Sequence, residues 1–381
     1  MLYAILPFIV ILPPLAYGVI SLWCARSYFN REKEAADHAP PVTILKPVKG
    51  MDAESFENFA SFCRQDYPCF QIIFALASPE DPAIAVIERL RTAFPGVDME
   101  LVVDGRIYGP NYKVCNLMNA WPKARHDIII VCDSDIRVGE RYLREVAAPF
   151  ADPAVGLVTS LYRSSAVHGT AAAVEALGFT TEMVPNVMVA LRLEGLSFAL
   201  GASMAVRREA LEAIGGFAAL VDYLADDYQL GNKVQRAGWR LALSDYFVES
   251  VLHRERLATI LSRQLRWART MRVSRPGGYF GSGFTQPFPA ALLALLVSGF
   301  SGYGVAAALL LYAARSLVGL TFSRRYLRDN ALPRWLWLLP LRDMLAFCTW
   351  ALAFTGQRVG WRGHLFRLLP GGKIVELPER E

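Results

Sequence analysis

The stretch Asp127–Arg137 reads DIIIVCDSDIR. Its four branched residues, Ile128 to Val131, show none of the alternation of a strand with one wet face. An unbroken apolar run of this length fits a strand covered on both faces, as in the parallel sheet of an α/β domain. Ligands bind such sheets at the carboxyl ends of the strands, which is where Asp133 and Asp135 fall. Side chains two apart on an extended chain point the same way, so both carboxylates can meet one hard cation. The pair suits a turn after a core strand equally well, and Asp-x-Asp alone does not choose.

The rest of the chain bounds the answer. At 381 residues there is room for one large domain or two ordinary ones. A hydrophobic fraction of 54% against 20% charged residues calls for membrane segments. Six scattered cysteines without CxxC spacing make neither a disulfide scaffold nor a zinc site, and suit a reducing compartment. The net charge of +5 is modest and no lysine-rich tract appears, so no nucleic-acid partner is expected.

Leu2 to Trp23 is apolar for long enough to make a membrane helix, kinked at Pro13-Pro14. It lacks the basic start and small-residue cleavage site of a signal peptide. Arg26, Arg31 and Lys33 follow, which by the positive-inside rule places the next domain in the cytoplasm. After a linker at His38–Pro41, strands at Val42–Leu45, Gln71–Leu76 and Met99–Val103 alternate with helices at Glu54–Cys63, Ile84–Ala93 and Asn116–Trp121. This alternation predicts a doubly wound, mostly parallel sheet, and no G-x-G-x-x-G turn follows the first strand to make it dinucleotide-binding.

Beyond Asp135 a helix at Tyr142–Pro149 and a strand at Val155–Leu161 are expected. Thr170–Leu193 is apolar and Met-bearing, but Glu175, Glu182 and Pro185 make it an interfacial or pocket-lining helix rather than a span. Arg254–Arg275 carries seven arginines interleaved with apolar residues, as suits a helix on an anionic membrane surface. Pro287–Tyr312, Ala313–Phe322 and Trp335–Phe354 supply two or three passes, and the tail from Arg358 to Arg367 is basic again. The expected organisation is an N-terminal anchor (1–25), a cytoplasmic catalytic domain (40–250), a basic interfacial segment (251–285), membrane helices (286–356) and a cytoplasmic tail (357–381).

A sheet domain with a metal-type carboxylate pair, held between membrane anchors, points to a soluble phosphate-bearing donor and a lipid acceptor. A divalent cation on Asp133 and Asp135 would bridge the phosphates of a nucleotide sugar. Lys49, Lys113 and the arginine segment add positive charge. Asp227 can take a proton from an attacking hydroxyl, although it and Asp226 equally suit a helix cap.

The ordered set LKPVKG (Leu45–Gly50), QDYP (Gln65–Pro68), G-x-N-x-K-x-x-N-L-M (Gly109–Met118), CDSDIRV (Cys132–Val138), GASMAVRRE (Gly201–Glu209), ADDY (Ala225–Tyr228) and R-x-x-R-W (Arg263–Trp267) resembles the ceramide glucosyltransferases of glycosyltransferase family 21. The resemblance runs over about two thirds of the chain. It implies a GT-A fold (an α/β nucleotide-diphospho-sugar transferase-like domain) with transmembrane and interfacial helices, in a multi-pass protein of, for a bacterium, the inner membrane. It implies Mg²⁺ or Mn²⁺ on Asp133 and Asp135, with Asp133 also touching the nucleotide sugar. Asp227 would be the base of an inverting displacement. Arg263, Arg266 and Trp267 would hold the diphosphate and close the acceptor side, with Lys113 and more loosely Lys49 near the donor. Ser78 stands where the family's first, uracil-contacting aspartate belongs, with Glu80 and Asp81 close by.

The implied reaction joins UDP-glucose to ceramide. Bacterial relatives that attach N-acetylglucosamine from UDP-N-acetylglucosamine to hopanoid polyols such as bacteriohopanetetrol are similar through LRWARTMR. A processive polysaccharide synthase would carry Gln in place of Arg263 and more spans. A degenerate, non-catalytic nucleotide-binding protein would not need Asp133, Asp135, Asp227 and Arg266-Trp267 together. Acceptor contacts are expected in Phe179–Leu200.

Overall fold

The strands Val42–Pro47 (β1), Phe70–Leu76 (β2), Asp98–Val103 (β3), Ile128–Cys132 (β4), Ile136–Arg137 (β5), Val155–Ser165 (β6), Ser203–Arg207 (β7) and Arg240–Val251 (β8) form one sheet in the order β3-β2-β1-β4-β7-β6-β8-β5. The structure is a computed structural model that describes residues 2–32, 38–52, 54–165, 167, 169–252 and 256–378. Lys33 and Arg254, counted above among the basic flanks, lie outside the described residues. β3, β2, β1 and β4 run parallel, β7 runs antiparallel between β4 and β6, and β8 is parallel to β6.

The double burial read from Ile128–Val131 has a direct cause. Ile129 and Val131 join one apolar cluster with Leu45 and Ile73, whereas Ile128 and Ile130 join the other with Ile44 and Ile72. Alternate side chains therefore enter two separate cores, and neither position tolerates a polar residue. The α/β class and the mostly parallel sheet are as expected.

Boundaries moved where a cap or a turn overrode periodicity. The helix expected at Asn116–Trp121 starts at Tyr112, because the Asn111 side chain accepts the Val114 N–H at 3.1 Å. That extra turn brings Lys113 into the structured part of the domain. β6 runs on to Ser165, beside the twelve-residue β8, which periodicity alone does not mark.

Tyr3–Phe29, Gly302–Tyr326 and Leu332–Thr355 are long and apolar enough to cross a membrane, and a fourth candidate is the pair Pro276–Thr285 plus Pro287–Val297, bent by 48°. The expected pass Pro287–Tyr312 is divided by a turn at Gly299-Phe300, where both residues have positive φ (59° and 58°). Ala313–Phe322 is the second half of the helix that begins at Gly302.

Thr170–Glu194 is helical with a π-turn at Phe179–Met183 and is not among the candidate spans. Its π-turn is pinned to the membrane helices. Arg315 donates to the Thr181 carbonyl at 2.7 Å and pairs with Asp343 at 3.1 Å, and Arg342 pairs with Glu182 at 2.5 Å.

Four arginines from Arg263 to Arg275, on the helix Leu257–Ser274 and its C-cap, bond protein groups. Arg263 reaches Glu175, Arg269 the Arg358 carbonyl, Arg272 the Gly356 carbonyl and Arg275 Glu194. Leu257, Trp267 and Met271 are its large apolar residues left exposed.

The basic tail is itself folded. Arg358–Trp361 (β9), His364–Leu368 (β10) and Ile374–Leu377 (β11) make an antiparallel meander. It docks on the sheet domain through the Ile374 N–H to the Asp222 carbonyl at 2.8 Å and the Tyr112 hydroxyl to Glu376 at 2.6 Å.

Candidate active site

The reversal between β4 and β7 builds the site. Pairing Cys132 with Ser203 lays the small-residue turn Gly201-Ala202 beside Asp133, whose N–H reaches the Ala202 carbonyl at 3.4 Å. A cavity of about 1220 Å³ opens there, at the carboxyl ends of β1, β2 and β4, walled by the helix Leu257–Ser274 and by the meander. Its lining brings together every side chain singled out from the sequence: Lys49, Ser78, Lys113, Asp133, Asp135, Asp227, Arg263, Arg266 and Trp267.

Negative charge concentrates at the floor. Burial, and then the carboxylates of Asp133 and Asp52, push Asp135 up to about 7. The Ser134 hydroxyl donates to Asp52 at 2.5 Å, which holds this third acid next to the pair. Underneath, the fully buried Lys46 donates to the Asp133 carbonyl at 3.0 Å and lies 3.7 Å from the centre of the Phe62 ring. Burial pulls its ammonium down against the pull of Cys132, Asp133 and Asp135.

Lys113 contacts Asp133 at 2.7 Å and Asp226 at 3.5 Å. Burial pulls it down, but Asp133, Asp226 and Asp227 together outweigh burial and hold it above its ordinary value. Asp227, at the start of the helix Asp226–Arg236, is pushed up to about 6 by burial and then by Asp226. A Cβ on Gly201 would stand 2.9 Å from the Asp227 carboxylate, so only glycine leaves that carboxylate its place.

The donor set at Asp133 and Asp135 is two hard carboxylates, and among the described residues no group of three or more His, Cys, Asp or Glu is arranged to hold an ion. Two protein carboxylates with substrate phosphates completing the shell is how Mg²⁺ is commonly held. The residues fit such a cation, and its charge would relieve the crowding that raises Asp135.

On the uracil side expected from the sequence, Ser78 lines the cavity and its hydroxyl bonds Glu80, whose carboxyl this bond holds below the usual range. Asp81 is committed to backbone: it accepts the Gly50 N–H at 2.8 Å and the Ala83 N–H at 2.9 Å.

On the opposite side, Arg263 grips the buried Glu175 with two bonds, at 2.9 and 2.6 Å. The guanidinium thus supports the wall, a role that motif spacing does not reveal. Arg266 has no ion-pair partner among the described residues. Its guanidinium sits 5.8 Å from the Trp361 ring, and burial followed by the like charges of Arg263 and Arg362 lowers it to about 10. Glu175→Gln removes the buried carboxylate that Arg263 grips, at a cost of about 3 kcal/mol. Thermal unfolding of the purified protein should then shift down by about 6 °C, and Arg263→Gln in the same chain should restore part of it.

Among the cavity residues to which sequence reasoning gave no role in the site are Asp52, Tyr162, Glu175 and Arg362. Tyr162 projects where β6 breaks register with β8, and its ring stacks edge-on against Phe179 at 4.9 Å. The turn signals Arg362-Gly363 and Pro370-Gly371-Gly372 were present in the sequence and mark hairpins.

Comparison with known proteins gives a consistent set. The model of the family described as glycosyl transferase family 21 matches residues 6–374. The chain is similar to ceramide glucosyltransferase 3 of Caenorhabditis elegans, 25% identical over 98% of this chain and 83% of that one. It is 34% identical to the ceramide glucosyltransferase of Komagataella phaffii over 35% of this chain and 27% of that one. Among solved structures, the mannosyltransferase PcManGT of Pyrobaculum calidifontis, in complex with GDP-Man and Mn²⁺, superposes with a TM-score of 0.56 at 19% identity, covering 90% of this chain and 99% of that one.

Proposed function

The chain belongs to glycosyl transferase family 21 and is a glycosyltransferase, and from that premise we propose that it moves one glucose from UDP-glucose to a ceramide hydroxyl with inversion. The observation that carries the reading is one cavity joining the acidic floor of Asp133 and Asp135, the raised carboxyl of Asp227 and the unpaired Arg266. In this reading Asp227 takes the acceptor proton as the hydroxyl oxygen bonds to the anomeric carbon. The bond from that carbon to the phosphate oxygen breaks, and its electron pair leaves with the diphosphate. Asp133 and Asp135 would hold a Mg²⁺ or Mn²⁺ ion, which supplies charge neutralisation for that leaving group. Arg266 and Lys49 face the same phosphates. Ser78 takes the base side of the nucleotide.

Acceptor entry is assigned to the side of Tyr162, Phe179 and Trp267, next to the helix Thr170–Glu194 that is bound to the membrane helices. The domain order (anchor, sheet domain, interfacial helix, membrane helices, tail) is part of this proposal, as is a cytoplasmic site. The contact of the meander with the sheet domain supports an even number of passes between the two. The helices Gly302–Tyr326 and Leu332–Thr355 meet that count, and the bent pair before them would then enter and leave one face.

The test is a screen of purified protein with radiolabelled UDP-glucose and UDP-N-acetylglucosamine, each against ceramide and bacteriohopanetetrol. The expected product is glucosylceramide. Transfer of N-acetylglucosamine to the hopanoid alone would replace this reading with the second one. No lipid product in any arm would overturn lipid glycosylation altogether.

A further inference from the structure

The meander built from 358–377 has no part in the chemistry proposed above, yet it forms one wall of the cavity. We propose that Arg362, at the tip of the β9–β10 hairpin, is a ligand of the donor's diphosphate, delivered by a docked clamp rather than by a loose tail. The proposal rests on the nucleotide-sugar reading and adds a residue to it.

The hairpin is built to hold that side chain in place. Trp361 pairs with His364, leaving Arg362 and Gly363 as a two-residue turn with φ of 52° and 91°. Both turn positions demand left-handed backbone, which favours asparagine or glycine. An arginine there accepts a conformational cost that asparagine or glycine would avoid.

The tip is fastened to the loop that follows β1. Lys49 donates to the Arg362 carbonyl and Arg362 to the Lys49 carbonyl, each at 3.2 Å. The base of the meander is fastened as well. Phe366, fully buried, packs with Leu224, and Lys373 pairs with Asp222 at 3.2 Å. Leu224, Ala225 and Asp226, which lead into the helix bearing Asp227, line the same cavity as Arg362.

The charge balance gives the reason for the placement. Lys49, Arg266 and Arg362 line one cavity, and among the described residues none of them has an ion pair with a carboxylate. Crowded cations of this kind destabilise the ligand-free protein and are relieved when an anion enters between them. A guanidinium suits a diphosphate because its fork can donate two parallel bonds. With its guanidinium already bonded to the Lys49 carbonyl before the donor arrives, Arg362 needs little reorganisation to bind.

The experiment is calorimetric titration of UDP, with MgCl₂ present, into the full-length detergent-solubilised protein, paired with its ligand-free unfolding temperature. Arg362→Ala should weaken UDP binding about tenfold, the loss of one charge-assisted bond, with the unfolding temperature held within about 2 °C. Arg362→Lys should recover part of the loss, and Arg367→Ala, on the same hairpin but outside the cavity lining, should bind as wild type does. Unchanged UDP affinity in Arg362→Ala would overturn the inference and leave the proposed function standing. A loss accompanied by a lowered unfolding temperature and no rescue by lysine would also overturn it, since that is the signature of a structural arginine. Failure of the wild-type protein to bind UDP at all would overturn the proposed function and this inference with it.

Discussion

Asp227→Asn is expected to lower the transfer rate by about 10²–10⁴-fold while UDP affinity stays within about twofold. The carboxyl has the position and the proton affinity for the task. One oxygen is fixed by the Tyr228 N–H at 2.7 Å, and the other faces the glycine turn at Gly201. Burial and the neighbouring Asp226 raise it to about 6, against the opposing pull of Lys113. A base must be ionised to work, so the rate should fall tenfold per pH unit below about 6 and level off above it. Stability runs the other way. A carboxyl that binds protons more tightly folded than unfolded costs the fold increasingly as pH rises from its ordinary value through 6. The Asn variant should therefore unfold at or above the wild-type temperature at pH 7.5. Loss of activity with stability kept identifies the base. Retention of more than a tenth of the activity, or an acidic limb that persists unchanged in a weakly active variant, would remove Asp227 from that role.

The local chemistry of this protein was legible where one residue type had one physical use. Four branched residues before Asp133 require a strand between two layers, and the two apolar clusters supply them. Arg263 was legible only as a motif member, because its partner Glu175 lies 88 residues away and nothing in the spacing pairs the two. The meander escaped for a different reason. Its net positive charge reads as a cytoplasmic flank, but its alternation and its two glycine turns read as hairpins. The arginines from Arg263 to Arg275 read from their charge as a membrane-surface segment, and charge alone does not reveal the protein partners they have. In the fold they satisfy carbonyls at 356 and 358 and the carboxylates of Glu175 and Glu194. Helix starts were misplaced where a single side chain decides, as Asn111 does for Lys113.

Asp135→Asn should abolish the metal dependence of donor binding and reduce transfer by at least about 100-fold. With two protein carboxylates in the donor set, removing one leaves a single anionic ligand for the cation, too few to place it on the diphosphate. In the wild-type protein, UDP affinity should rise on adding MnCl₂ and fall back with EDTA, and in the variant neither addition should matter. The same substitution has a second signature of opposite sign. In EDTA the wild-type site keeps Asp135 buried beside Asp133 and Asp52, and these like charges destabilise the fold as pH rises through about 7. Asparagine removes one of the three charges, so at pH 8 in EDTA the variant should unfold at a higher temperature than the wild type. Saturating Mn²⁺ with UDP should stabilise the wild type and not the variant, reversing that order. A structural aspartate predicts the contrary: a variant less stable in EDTA, with metal-enhanced UDP binding intact. Full activity of the wild-type enzyme in EDTA would eliminate the metal and leave Lys113, at 2.7 Å from Asp133, as the cation of the floor.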